Sequence, residues 1–139
     1  MSAQWIDELI TLFDATLRDV GQTRGIDFTA ANKQFIAKAL EDFGIDHIEG
    51  GCPGGNPTDD MFFSKDQKLK KAKIVAFGMT RRGGGRSVEN DPGLNAFLGA
   101  KTDRTCLVDK MWDFHVTTAL NMELGKNLRM NSQSIASAC

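Results

Sequence analysis

The sequence predicts an α/β fold in which four strand–helix units are laid along a parallel sheet. Two observations lead to it. Short apolar runs alternate with longer stretches of helical period, the pattern left by helical crossovers between parallel strands. The run at residues 73–79, with Ile74, Val75, Ala76 and Phe77 almost unbroken, has the character of a strand covered on both faces.

Taken in order, residues 10–13 form a short apolar run that stops at Asp14 and reads as the first strand. Residues 28–43 place Phe35, Ile36, Ala39, Leu40 and Phe43 on one stripe, so a helix is expected there with Thr29 as its N-cap and Gly44 as its stop. Residues 45–49 read as the second strand, running into Gly50, Gly51 and Pro53. A second helix is expected within 58–72, around Met61, Phe62 and Leu69, and the lysine-rich run at 65–73 reads as a solvated helix face. The third strand follows at 73–79. Beyond a glycine-rich loop, residues 91–100 read as a helix around Leu94, Phe97 and Leu98, residues 105–108 as the fourth strand, and the chain from Trp112 onward as helical. In that last stretch Leu124, Leu128 and Ile135 share a face that Asn131 interrupts.

Composition narrows the function classes. The chain has 139 residues, with 17 Lys and Arg against 18 Asp and Glu, so no nucleic-acid or membrane surface is indicated. At 41% hydrophobic and 25% charged it fits one globular domain over residues 1–139. No apolar stretch approaches the roughly 18 residues that span a bilayer. Cys52, Cys106 and Cys139 are odd in number and widely spaced, and Asp7 and Glu8 stand where a leader would be basic and then apolar. A disulfide scaffold and secretion are therefore not expected; a cytoplasmic protein is. Cys52 and Cys106 lack a zinc spacing or a base partner and read as buried or incidental thiols.

In such folds ligands gather where strands end in their carboxyl-side loops, which here begin at Asp14, Glu49, Met79 and Val108. The first loop holds Thr16-Leu17-Arg18-Asp19, a guanidinium beside a carboxylate, with Gln22 close behind; surface ion pairs of adjacent Arg and Asp look the same. The second brings Glu49 to the same mouth beside Gly50, Gly51, Gly54 and Gly55. The third, Arg81-Arg82-Gly83-Gly84-Gly85-Arg86, offers arginines and open backbone amides to a phosphate, or is simply a solvated loop; it contains no Walker pattern.

Together these residues resemble the acyl-CoA condensing enzymes that include citramalate, isopropylmalate and homocitrate synthases, and more distantly the 3-hydroxy-3-methylglutaryl-CoA lyases. The family's opening pattern, Asp-Thr-Thr-Leu-Arg-Asp-Gly-x-Gln, is matched from Asp14 to Gln22 at six of its eight specified positions. Gly44-Ile45-Asp46-His47-Ile48-Glu49-Gly50-Gly51 and Pro53-Gly54-Gly55-Asn56-Pro57-Thr58-Asp59 resemble the citramalate synthase branch, as do Ala76-Phe77-Gly78-Met79-Thr80-Arg81-Arg82, Asn90-Asp91-Pro92-Gly93-Leu94 and Trp112-Asp113-Phe114-His115-Val116. The match runs in order from about Leu12 to about Ile135.

The resemblance implies a catalytic (β/α)8 TIM barrel, of which this chain carries four units, the amino-terminal half. It also implies a divalent metal, Mg²⁺ or Mn²⁺, and a reaction joining acetyl-CoA to an α-keto acid, pyruvate giving citramalate, in branched-chain amino acid biosynthesis towards isoleucine. Asp19 would be a metal ligand, and Arg18 and Glu49 catalytic, with Arg18 stabilising the alkoxide. Arg18, Gln22 and His115 would bind substrate. A complete barrel takes about 250 residues, and the family's His-x-His metal pair has no counterpart here, so little or no turnover is expected of this chain alone.

Several positions depart from the pattern. Val20 stands where the family has glycine and would be strained if that position needs a positive φ. Cys52 replaces tryptophan, Asp109 glycine and Met111 serine, while Asn131 stands where a buried apolar residue is expected. These read either as drift under weak constraint or as a truncated reading of a longer gene. The competing readings are a non-catalytic half-barrel that self-associates or pairs with a complementary half, an isopropylmalate or homocitrate synthase-like fragment, and an independent doubly wound domain holding a phosphate at its arginine–glycine loop.

Overall fold

Four parallel strands lie side by side in chain order: β1 (Phe13–Asp14), β2 (His47–Gly51), β3 (Lys73–Met79) and β4 (Arg104–Val108). Helices follow each strand: α1 (Thr16–Asp19) and α2 (Ala30–Phe43) after β1, α3 (Pro57–Phe63) after β2, α4 (Pro92–Gly99) after β3, and a π-helical turn (His115–Ala119) with α5 (Leu124–Ala138) after β4. The expected α/β architecture is present, and a sequential parallel order with alternating helices is that of a partial TIM barrel. The computed structural model describes residues 10–82, 87–100 and 102–138. Gly83, Gly84, Gly85 and Arg86 of the glycine-rich loop therefore lie outside the described residues, as do Asp7, Glu8 and Cys139. No helix among the described residues is long and apolar enough to cross a membrane.

Local chemistry explains why several boundaries fall where expected. The Thr29 hydroxyl accepts from the Asn32 N–H at 3.1 Å while the Asn32 side chain accepts from the Thr29 N–H at 3.0 Å, a reciprocal capping box that starts α2. Gly44 ends it with φ +102°, a left-handed stop. β3 occupies residues 73–79 as anticipated. Asp91 caps α4 by accepting from the Leu94 N–H at 3.0 Å, with Pro92 at the first helical position. The core forms one cluster of Leu17, Ala30, Ala37, Ile48, Phe62 and Ala72, and a second of Ala76, Leu94 and Phe97.

Several expectations need correction. The fully buried face of α2 is Ala30, Lys33, Ala37 and Glu41; of the expected stripe Ile36 and Leu40 pack against the core, whereas Phe35 and Phe43 are 77% and 83% exposed and Ala39 is exposed too. The two small alanines pack into the core, and both charged residues find buried partners. Residues 64–72 are a loop and not a helix, because the N–H groups of Lys70, Lys71 and Ala72 donate to Glu41 Oε1 at 2.6, 2.7 and 3.1 Å in place of helical carbonyls. The stripe of Leu124, Leu128 and Ile135 is at least half exposed; α5 instead buries Asn127, Met130, Asn131 and Ser134 against the polar exits of β3 and β4. β1 and β2 also start later than expected, since Asp46 accepts the Leu12 N–H at 2.8 Å and holds residues 45 and 46 in the turn.

Candidate active site at the strand exits

Arg18 sits on the short helix that leaves β1, and Leu17 beside it is fully buried, so the helix is anchored and the guanidinium is carried to the mouth of the sheet. Arg18 Nε donates to Glu49 Oε2 at 2.7 Å, and its terminal nitrogen pairs with Asp19. The guanidinium lies over the Phe77 ring at 4.2 Å. Three strands thus converge on one cation: β1 supplies it, β2 its carboxylate and β3 its aromatic floor. Burial pulls the Arg18 pKa down, but the bond to Glu49 and the charges of Glu49 and Asp19 outweigh that, and the net movement is upward from the ordinary arginine value. The group is a permanent cation and not a proton acceptor.

Glu49 is 1% exposed, so its pairing with Arg18 is what makes its burial tolerable. The Cys106 thiol on β4 lies close to Glu49; burial pushes this thiol up, the nearby Glu49 carboxylate adds to the rise, and Arg18 opposes it. Burial likewise raises Cys52, followed by the charges of Asp59 and Asp60. Neither thiol is an activated nucleophile. Phe77 and Cys106 are not among the site residues that the sequence suggests; each sits at an alternating position of its strand, with Phe77 registered to Cys106, a signal visible only once strand register is known.

Gln22 lines a cavity of about 440 Å³ together with Arg18, Lys33, Cys52, Asn56 and Asp59. Four of the anticipated residues are therefore gathered at one mouth. His115 is not among them: it is exposed on the π-helical turn, 4.7 Å from the Trp112 ring, with no hydrogen bond or ion pair to Arg18, Asp19, Gln22 or Glu49. Asp19 is 58% exposed. Among the described residues no three His, Cys, Asp or Glu side chains converge to hold a metal ion, so Asp19 alone does not constitute a metal centre.

The departures acquire reasons. Val20 has φ −68° and ψ −32°, an ordinary right-handed conformation, so it carries no backbone strain and leaves the Arg18 geometry intact. Asp109 accepts from the Thr80 hydroxyl at 3.0 Å, from Asn127 at 3.2 Å and from Asn131.

The HMGL-like family model matches residues 9–138. The (R)-citramalate synthase of Aquifex aeolicus is 42% identical over 130 residues, covering 92% of this chain and 24% of that protein. The (R)-citramalate synthase of Synechocystis is 44% identical over 127 residues, 90% of this chain and 23% of its own length. The homocitrate synthase of Saccharolobus solfataricus is 31% identical over 129 residues, 93% and 27% respectively. The chain thus spans about a quarter of the length of these curated relatives. With the family pattern matched along nearly its whole length and four parallel strand–helix units beneath it, the chain belongs to the HMGL-like family.

Proposed function

We propose that this chain supplies part of an acyl-CoA condensing active site, joining acetyl-CoA to an α-keto acid, with pyruvate giving citramalate. The Arg18–Glu49 bond of 2.7 Å above Phe77 carries the reading. In the condensation the acetyl methyl carbon loses a proton to a base and bonds to the keto carbon, and the carbonyl electron pair moves to oxygen as an alkoxide that is then protonated. Water cleaves the thioester C–S bond to give citramalate and free CoA. A fixed guanidinium at the strand exits neutralises that charge, and Glu49 keeps it oriented without competing for the substrate. Gln22 holds the keto acid from the adjoining cavity, whereas His115, exposed against Trp112, takes no part at this mouth. Asp19 would hold a divalent metal through one carboxylate oxygen, and the metal would polarise the keto carbonyl as a Lewis acid. The relatives named for citramalate synthesis share 42–44% identity with the chain against 31% for the homocitrate synthase, which favours pyruvate over a longer keto acid.

The test is CoA release from acetyl-CoA and pyruvate. The chain alone gives none; mixed with the remaining strand–helix units of a citramalate synthase relative, it gives pyruvate-dependent release. Release by the chain alone contradicts the incomplete-site reading, and pyruvate-independent release contradicts the substrate.

A second reading rests on the sheet edges. Among the described residues β1 and β4 each have one strand neighbour, and Leu12, Phe13 and Val108 are partly exposed along them. This favours a half-barrel that pairs with a second copy or a complementary half. Sedimentation across a hundredfold concentration range distinguishes a pairing chain from a stable monomer.

A further inference from the structure

Glu49 is followed at once by an irregularity. His47, Ile48 and Glu49 pair in step with Lys73, Ile74 and Val75, but Gly51 pairs with Ala76, so one extra residue bulges from β2 at Gly50. Gly51 takes φ +137°, and a Cβ there would lie 2.5 Å from the Asp59 carboxylate. The backbone polar groups flanking this kink are held by two charged side chains from different helices. Lys33 of α2 donates from Nζ to the Gly50 carbonyl at 2.9 Å and pairs with Asp59. Asp59 of α3 accepts from the Cys52 N–H at 2.8 Å and from Asn56 Nδ2 at 3.0 Å. The two side chains are 5% and 7% exposed. A buried ion pair is a poor way to gain stability, since desolvating two charges offsets most of their attraction, but it is an effective way to fix orientation. Arg18 and Glu49 bond to each other and not to this pair, so the hydrogen bonds of Lys33 and Asp59 link them to Glu49 through the backbone of the bulge.

We propose that Lys33 and Asp59 are positioning residues: by clamping the carbonyl of Gly50 and the amide of Cys52, they fix the bulge that aims the Glu49 carboxylate at Arg18 Nε. The proposal rests on Arg18–Glu49 as the site, but its test reads the geometry of that pair and not its chemistry. It therefore fails separately from the acyl-transfer reading.

The experiment follows the Arg18 Nε–H cross-peak of the ¹⁵N-labelled chain, assigned by its loss in Arg18→Lys. In the unmodified chain this proton, bonded to a buried carboxylate, exchanges slowly. Lys33→Met, Asp59→Asn and the double variant, which removes both charges and keeps a buried charge from being stranded, each move the peak towards that of a free arginine and speed its exchange at least tenfold. Ala37→Gly, a buried substitution in α2 away from the bulge, lowers the melting temperature and leaves the peak in place. A peak unmoved, with exchange within twofold of the unmodified chain, in any of the three variants that retains the circular dichroism of the parent overturns the proposal.

Discussion

The carboxylate of Asp109, just past β4, accepts the side-chain amide of Asn131 on α5. Asp109 stands where the resembled pattern has glycine and Asn131 where the helical period calls for an apolar residue, and each is the other's partner. Asn131 is 6% exposed, so with glycine at position 109 its amide would be left buried and unpaired. What reads in sequence as two signs of drift is one local rearrangement, which also ties Thr80 and Asn127 to the fourth strand's exit.

Asp109→Gly should lower stability by about 1–3 kcal/mol, because buried Asn131 loses its carboxylate partner, and Asn131→Leu by less, because half-buried Asp109 keeps Thr80 and Asn127. The double variant should cost less than the sum, because the second change removes the group orphaned by the first. Urea unfolding of the four proteins checks this; strict additivity would show that the two residues are not coupled.

Glu41 makes stability depend on acid. The Lys38 pair, then the Lys71, Ala72 and Lys70 amides, outweigh burial and hold its carboxyl at about 2, down from 4.5. A depressed carboxyl stabilises fully above its unfolded value, near about 4.3, and the contribution is lost as pH falls from there through about 2. Glu41→Gln should flatten the acid limb of a stability–pH curve in that window. An unchanged slope between pH 5 and 2 would mean that the contact forms without being felt.

Gly51→Ala meets two obstacles: a φ of +137° and the Asp59 carboxylate 2.5 Å from the new Cβ. Its cost should reach about 3 kcal/mol. Gly99→Ala is the comparison, since it sits in α4 with nothing near its Cβ, and should be neutral or stabilising by about 0.5–1 kcal/mol. Thermal unfolding of the pair measures the contrast.

How much of the fold is legible in the sequence depends on the range of the interactions. Thr29 and Gly44 are read correctly because a cap is a contact within a few residues, and β3 is read correctly because its apolar run is covered on both faces. The inward face of α2 is misread because Lys33 and Glu41 are buried by partners 26 to 31 residues away, which no helical period reveals. The loop at 64–72 has the same origin. In the site, motif resemblance points to Arg18, Asp19 and Glu49, which do meet. Phe77, Cys106, Lys33 and Asp59 carry no motif chemistry; they matter only through strand register and a bulge. The strain expected at Val20 fails because position 20 needs no positive φ.

The most direct trial of Arg18 as the group that meets the developing alkoxide is a comparison of Arg18→Lys with the unmodified chain, each completed by the missing barrel units and supplied with pyruvate and acetyl-CoA. Lysine keeps the charge but loses the Nε–H that Glu49 fixes, so kcat should fall by at least about a hundredfold. Citramalate formed at the unmodified rate by Arg18→Lys, or no citramalate from the completed unmodified chain, contradicts the role assigned to this pair.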